Sequence, residues 1–135
     1  MTHYRMSEAA ELLGVSDDTV RRWVSDGVLT ASKDDAGRQI IGGADLAKHA
    51  KRTATPPDDK TGVQRSARNH FVGLVTDIVM DAVMAQVELQ CGPYRVVSLM
   101  SSEAVRDLGL EVGSRAVAVV KATMVVVETQ KLSSE

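Results

Sequence analysis

The side chains that usually carry catalysis or hold metal ions are few and scattered in this sequence. Cys91 is the sole cysteine, and the three histidines are His3, His49 and His70. A lone cysteine forms neither an intrachain disulfide nor a CxxC metal knuckle, and zinc sites need clustered cysteine and histidine ligands. The sequence also offers no nucleophile with a nearby base and no paired carboxylates. We therefore predict that the chain is not an enzyme, that it binds no bare metal cation, and that Cys91 is inert.

The composition is that of an ordinary soluble globular protein. Of the 135 residues, 44% are hydrophobic, 25% are charged and only 3% are aromatic. A core must therefore be built from aliphatic side chains, and few rings are available to stack on single-stranded nucleic acid. Apolar stretches such as 116–120 are about five residues long, against the roughly 20 that a membrane-spanning helix needs. Together with an N-terminus unlike a signal peptide, this pattern favours a cytoplasmic protein with no membrane partner.

A break in composition separates two halves of the chain. Residues 53–65 contain two prolines, small polar residues and charges in place of any apolar period, which is typical of a linker. Residues 1–52 carry eight basic and eight acidic residues, whereas residues 66–135 carry six basic and eight acidic ones. Neither half is basic overall, so DNA binding would depend on where individual charges are placed. We predict domains at 1–52 and 66–135, joined by a flexible linker over 53–65.

The first half carries the signals of two short helices in close succession. Ser7 and Ser16 are suited to N-cap these helices, and Gly14 and Gly27 are suited to end them. The short connection between the helices forces them to cross, which is the pattern of a helix-turn-helix. Two β-prone runs around an Asp-Asp-Ala-Gly turn follow within 30–41, and then a third capped helix. The hairpin would form a wing beside the helix pair.

The segment from residue 4 to about residue 50 resembles the winged helix-turn-helix of the MerR and excisionase superfamily. The shared words are GVS between the helices, a Thr-Val-x-Arg-Trp second helix, a Gly-x-Leu exit and a wing that ends in arginine. In that family the second helix enters the major groove and the wing touches the flanking backbone or minor groove. The resemblance therefore implies that double-stranded DNA is contacted by Thr19, Arg21, Arg22, Lys33 and Arg38.

Some of these residues have plainer structural roles as alternatives. Arg21 and Arg22 in isolation are typical of a solvated helix face, although the surrounding pattern favours DNA contact. Trp23 is more typical of a core residue than of a phosphate contact through its indole N–H. Asp34 and Asp35 depart from the resemblance, because a DNA-binding wing more often carries basic or small residues at such positions.

The second half changes to the period-two alternation of β-strands. Strands are expected from His70 onward, then over 83–89, 94–100, 115–120 and 123–128, with a serine-capped helix over 101–109. Five strands and one short helix make a small OB-like barrel, so the predicted fold class is α+β, with the winged helix-turn-helix preceding the barrel. The apolar runs near the C-terminus predict strands covered on both faces, which homo-oligomerisation would provide.

Four separated motifs in this half resemble, in the right order, the molbindin or TOBE domain. They are SARN at 66–69 with the following HFxG, DAVMAxV at 81–87, the segment 101–110 ending in LGL, and VKAT at 120–123. The resemblance spans residues 66 to about 129 and implies that molybdate or tungstate binds at interfaces between subunits. It assigns the oxyanion-binding role to Ser66, Arg68, Ser101, Lys121, Ala122 and Thr123.

The chemistry of these residues suits such a ligand. Molybdate is a tetrahedral dianion with no proton to donate at neutral pH, so its site needs N–H and O–H donors and no carboxylates. Ser101 also stands at a helix N-terminus, although it has the plainer role of an N-cap. Lys121 has the alternative of a solvated charge, and Arg68 that of an ion pair across an interface. The resemblance fails at Met84 and Ala104, where family members often carry asparagine and serine.

Together the two halves predict a molybdate- or tungstate-responsive transcriptional regulator, in which the anion bound between barrels changes the assembly of the DNA-binding heads. A second hypothesis is an intracellular molybdate storage protein whose N-terminal domain serves assembly. A third is an architectural DNA-binding protein whose barrel serves only to form oligomers.

Overall fold

A computed structural model of the chain describes residues 2–130. The chain divides into two compact units, with the boundary between Thr55 and Pro56. The predicted second domain extends to residue 135, and its last five residues lie outside the described range. Across the described part of the chain, no helix has the length and apolar character that crossing a membrane requires.

The N-terminal unit contains three helices and a small antiparallel sheet. Its elements in chain order are β1 (His3–Arg5), α1 (Met6–Leu13), α2 (Asp17–Ser25), β2 (Ala31–Lys33), β3 (Gln39–Gly42) and α3 (Gly43–Thr53). The two short helices, the hairpin and the third helix stand where the sequence predicts them. Strand β1 does not follow from the sequence pattern. It is only three residues long and forms by pairing with β3, in the order β1-β3-β2.

The caps of α1 and α2 show which residues start and end these helices. The N-cap of α1 is Arg5, not the predicted Ser7. The Glu8 carboxylate accepts the Arg5 backbone N–H at 3.0 Å, so the acid three residues on stabilises the helix start. The end of α1 is as predicted, because Gly14 adopts a left-handed φ of 67°. In α2 the Ser16 hydroxyl accepts the Thr19 N–H at 3.2 Å, so this serine cap is confirmed.

Replacing Ser16 with alanine should lower the free energy of unfolding of the N-terminal unit by about 1 kcal/mol, because the Thr19 N–H loses its acceptor. The matched control is Ser7→Ala, since Ser7 lies inside α1 and caps nothing. Chemical denaturation of the full chain, followed by Trp23 fluorescence, measures both variants. Equal effects of the two substitutions would contradict the capping role of Ser16.

The helices of this unit enclose a small aliphatic core. Its buried members are Met6, Ala9, Ala10, Val20, Leu29, Ile41 and Leu46. Trp23 is partly buried against this cluster, and its ring meets the ring of buried His49 edge-on, with centroids 4.5 Å apart. The interpretation of Trp23 as a core residue is therefore confirmed.

The C-terminal unit is one antiparallel sheet with a single helix against it. Its elements are β4 (Asn69–Met80), β5 (Met84–Cys91), β6 (Tyr94–Ser101), α4 (Ser102–Leu108), β7 (Arg115–Val120) and a 3-10 turn (Ala122–Met124). The strand order is β6-β5-β4-β7. The first half of β4 pairs with β7 and its second half pairs with β5. A register shift between Val75 and Asp77 interrupts the pairing with β5, as expected where a long strand bends from one partner to the next.

The fifth strand predicted over residues 123–128 is wrong for the chain as described. Residues 122–124 form the 3-10 turn, and residues 125–130 have no regular secondary structure. Val126 and Val127 are 82% and 87% exposed. β-branched residues favour extended backbone, but a strand also needs a neighbouring edge with which to pair. The unit is therefore a four-stranded curled sheet and not the predicted five-stranded barrel.

Candidate functional site

The predicted DNA-contacting residues of α2 differ in how free their side chains are. Arg21 and Arg22 are exposed, and Arg21 makes only a loose ion pair with Asp18 at 3.6 Å. Thr19 is half-buried, and its hydroxyl lies 3.0 Å from that of Ser16. Thr19 therefore contributes to the cap of α2, whereas the two arginines are available to a ligand.

The hairpin places two more predicted residues on the surface. Lys33 is the last residue of β2 and pairs with Gln39 of β3, and both side chains are exposed. Arg38 stands at the end of the turn and forms an ion pair with Asp34 at 3.2 Å. The hairpin therefore presents both cations to solvent.

Asp34, which departs from the resemblance to the MerR and excisionase superfamily, has a structural role in the turn. One of its carboxylate oxygens accepts the Ala36 and Arg38 backbone N–H groups, at 3.0 and 2.9 Å. The Arg38 N–H above all, with the Arg38 charge and the Ala36 N–H, holds the pKa of Asp34 below its ordinary value of 3.8. This carboxylate closes the turn, and its charge is partly offset by Arg38.

Replacing Asp34 with alanine should loosen the hairpin. We expect amide exchange at Ala36 and Arg38 to accelerate by about fivefold, the size that one hydrogen bond of ordinary net strength implies. Hydrogen exchange followed by NMR measures this, with Asp35→Ala as the matched loss of an acid. Because the folded pKa is lowered, the stabilisation is present above pH 3.8 and is lost as pH falls through the folded pKa. Unchanged exchange in the Asp34 variant would contradict the turn-closing role.

The N-terminal unit also brings together residues that are distant in sequence. Arg21 and Arg38 line a surface groove of about 400 Å³ together with Arg5, Asp17 and other residues. The sequence pattern does not mark Arg5, because its position beside the hairpin depends on the pairing of β1 with β3. Lys33, Arg22 and Thr19 do not line this groove.

In the C-terminal unit, the residues of the first and last motifs meet at one end of the sheet. Asn69 at the start of β4 pairs with Val120 at the end of β7. The next residues outward are Arg68 and Lys121, so both cations stand at this end of the sheet, and both are exposed. Ala122 and Thr123 follow in the 3-10 turn, and Ser66 precedes Arg68 by two residues. Within the described residues neither cation forms an ion pair.

Ser101 lies at the opposite end of the sheet. It pairs with Met84, which follows the turn after the last residue of β4, Met80. From Asn69 to Met80 the strand runs for about 36 Å of extended chain at 3.3 Å per residue. Along the sheet, Ser101 is therefore separated from the other five predicted oxyanion-binding residues by nearly the whole length of β4.

The environment of Ser101 combines a cap with the two departures from the family. Its hydroxyl oxygen accepts the Ala104 N–H at 3.1 Å, so the N-cap role is confirmed. Its O–H group remains a donor, because the cap uses only the oxygen. Met84 is its cross-strand partner. The missing asparagine and serine side chains would thus both have stood close to Ser101, which leaves this end of the sheet with fewer donors.

No group of three metal-binding side chains is found among the described residues. Cys91 is buried, and its thiol approaches the carbonyl oxygen of Phe71 at 3.6 Å. Burial raises the pKa of this thiol. Since the thiolate is the reactive form, the prediction that Cys91 is inert agrees with its surroundings.

Comparison with known proteins gives matches to both halves of the chain. The TOBE domain family matches residues 65–127, and a helix-turn-helix domain family matches residues 4–52. The chain is 44% identical over 63 residues to a probable molybdenum-pterin-binding protein of Haemophilus influenzae, covering 46% of this chain and 91% of that protein. The predicted helix-turn-helix and TOBE domains are confirmed, whereas the MerR or excisionase subtype stays a prediction.

A second relative and one solved structure show similar partial coverage. The chain is 34% identical over 71 residues to the molybdenum transport protein ModE of Herbaspirillum seropedicae, covering 52% of this chain. It spans 26% of the length of that relative. The structure of a molybdate-binding protein from Sporomusa ovata is 31% identical, with a TM-score of 0.48, and covers 50% of this chain and 100% of its own.

Proposed function

Because the chain belongs to the TOBE domain family through residues 65–127, we propose that it is a molybdate- or tungstate-responsive DNA-binding regulator of transcription. In this proposal the C-terminal unit binds the oxyanion between copies of the chain. The N-terminal unit is a winged helix-turn-helix of the MerR and excisionase type, with α2 in the major groove and the β2–β3 hairpin as its wing. The regulator acts in the cytoplasm.

The observation that carries the anion site is the pair of cations at the end of the sheet. Arg68 and Lys121 flank the paired residues Asn69 and Val120, and both are exposed and free of ion pairs with other described residues. Like charges on opposing strand ends repel each other, and a dianion bound between them is attracted to both, which offsets their mutual repulsion. The Ser66 and Thr123 hydroxyls and the backbone of the 3-10 turn add neutral donors, which a fully ionised tetrahedral anion requires.

The position of Ser101 supports a site that is shared between copies. Because this residue lies at the far end of β4 from Arg68, it reaches the same anion only from a second copy or serves a separate site. The strongly exposed apolar side chains near the C-terminus, Met124, Val126 and Val127, are 74–87% exposed. A soluble protein rarely leaves such a run open to water, which favours a homo-oligomer formed through the C-terminal units.

Oxyanion binding would be coupled to DNA binding through assembly. An anion that binds only between copies stabilises the oligomer by mass action. An oligomer carries several DNA-binding heads, and tethered heads bind DNA more tightly than single ones. By linkage, DNA that binds the assembled form then raises the affinity for the anion by the same factor.

Calorimetric titration of the full chain with molybdate, tungstate and sulfate, together with the oligomer mass before and after, tests the anion half. We expect saturable binding of molybdate and tungstate and little binding of the smaller sulfate. Selection of tight-binding duplexes from a random pool, with and without molybdate, tests the DNA half. Absence of molybdate binding would overturn the sensor. A selection that enriches no sequence would overturn the regulator.

An intracellular molybdate storage protein is the alternative function. It is favoured by the relative from Haemophilus influenzae, a probable molybdenum-pterin-binding protein of which this chain covers 91%. Storage predicts several anions per chain and no effect of molybdate on DNA affinity. Regulation predicts that molybdate changes this affinity, so the same two experiments separate the functions.

A further inference from the structure

Three arginines from separate parts of the chain converge on one groove of the N-terminal unit. Arg5 comes from β1, Arg21 from α2 and Arg38 from the turn of the hairpin. The charged residues that line the groove are these three arginines and Asp17. Among the lining residues three positive charges therefore face one negative charge, in a unit that carries no net charge.

The three guanidinium groups are open to a ligand. Each has one acidic neighbour on its own segment, at 3.4 Å for Arg5, 3.6 Å for Arg21 and 3.2 Å for Arg38. The three arginine side chains are 54–61% exposed. Such exposed pairs are weak and exchange readily, and a guanidinium has five N–H donors, of which one acid uses at most two.

Neutral donors complete the groove. Ser7 lies at the second position of α1, in the turn where backbone N–H groups have no partner within the helix. Gln39 contributes its carboxamide from β3. Charged and neutral donors grouped in this shallow groove suit a singly or doubly charged oxyanion, although the Asp17 carboxylate also lines it, and the guanidinium fork of arginine matches the geometry of a phosphate group.

The place of the groove in the fold identifies which phosphate. It lies between the start of α2 and the hairpin, the two elements that contact DNA in the proposed function. A duplex whose major groove receives α2 carries its sugar-phosphate backbone past the flanking hairpin. This inference therefore rests on the proposed function.

We propose that the groove between β1, α2 and the hairpin grips a phosphate of the DNA backbone, and that Arg5 is a DNA-binding residue together with Arg21 and Arg38. This contact positions the duplex but reads no base, because a phosphate is the same at every sequence. Arg5 thus contributes to affinity for any duplex and not to the choice among them.

The variant Arg5→Gln tests the proposal, with Lys51→Gln as the matched loss of one charge outside the groove. We expect the Arg5 variant to bind the selected duplex and an unrelated duplex about tenfold more weakly, with its sequence preference unchanged. The slope of log affinity against log salt should fall by about one. The Lys51 variant should lose less than about twofold, since it alters only the distant field. The backbone N–H of Arg5 that bonds Glu8 is kept, and circular dichroism checks the fold.

Other outcomes of these measurements would contradict the proposed phosphate contact, and each would do so in a different way. Equal losses in the Arg5 and Lys51 variants would show a general charge effect. A changed sequence preference would place Arg5 on a base. If the chain binds no duplex but binds inorganic phosphate, and the Arg5→Gln variant loses this binding, the groove is a site for a free anion. If the wild-type protein binds molybdate but no DNA, both the proposed regulatory function and the proposed phosphate contact of the groove are wrong. If only the expected effect of Arg5→Gln is absent, the phosphate contact is wrong and the regulatory function stands.

Discussion

Replacing Lys121 with methionine should lower the affinity of the chain for molybdate by about 10- to 100-fold. The substitution keeps the length of the side chain and removes one charge-assisted hydrogen bond, which is worth about 1.5–3 kcal/mol. Arg68 is kept, so the dianion loses one of the two cations that each copy supplies to the proposed site. Calorimetric titration of the variant with molybdate measures the change.

The control for Lys121 is a cation of the same unit that has no neighbour of like charge at a strand end. Arg95 is exposed near the start of β6, about 20 Å of extended strand from Ser101, and Arg95→Met should leave the affinity for molybdate within about twofold, as expected for an exposed charge outside the site. The oligomer mass without anion should be the same for both variants. Equal affinities of the Lys121 variant and the wild type would show that Arg68 and Lys121 do not form the site.

Local signals in the sequence predicted the helices and most strands because these elements depend on neighbours within a few residues. The Ser16 cap and the left-handed Gly14 are decided by the backbone groups beside them. The exception is Ser7, which does not cap α1. The Glu8 carboxylate instead accepts the backbone N–H of Arg5, the residue at the N-cap. A cap of this kind is harder to recognise in the sequence, because a helix start rich in small and acidic residues offers more than one possible N-cap.

Elements that need a distant partner could not be predicted in the same way. Strand β1 forms by pairing with β3, some 37 residues further along the chain. Its three residues are too few to show the alternating hydrophobic pattern of a strand. The apolar run at 124–127 has the composition of a strand but finds no edge within the described chain. Propensity thus predicted extended backbone there, while pairing decided against a strand.

The candidate sites show the same limit. The motif resemblance marks Ser101 and Arg68 as members of one set, and the register of the sheet places them at opposite ends of β4. The resemblance implies a site between subunits, and the register of the sheet gives a physical reason for it, since these two residues stand far apart along one sheet. In the N-terminal unit the groove joins Arg5 to Arg38 across 33 positions of sequence, so its chemistry becomes visible only after β1 is paired.

Replacing Gly73 with alanine should strongly destabilise the C-terminal unit. A Cβ atom at this position would press against the backbone carbonyl oxygen of Gln90 and would lie 2.6 Å from the Cys91 sulfur. Both neighbours belong to β5, whose backbone is held by pairing on both sides, so Gln90 cannot withdraw. Overpacking of this kind costs about 1–3 kcal/mol, and the rigid backbone neighbour places this site near the upper end. For a unit of this size such a loss is a large share of the total stability.

Urea denaturation of the full chain, followed by circular dichroism at a strand-sensitive wavelength, measures this effect. Gly42→Ala is the control, because Gly42 has an ordinary φ of −63° and no atom within 4 Å of an added Cβ. Removing only the sulfur, in Gly73→Ala combined with Cys91→Ala, should restore little of the stability, since the contact with the Gln90 carbonyl remains. Full recovery in the double variant would place the strain on the thiol. Stability equal to that of the wild type in Gly73→Ala would mean that β4 and β5 can separate at this point. The close approach of the two strands would then not be needed for the fold.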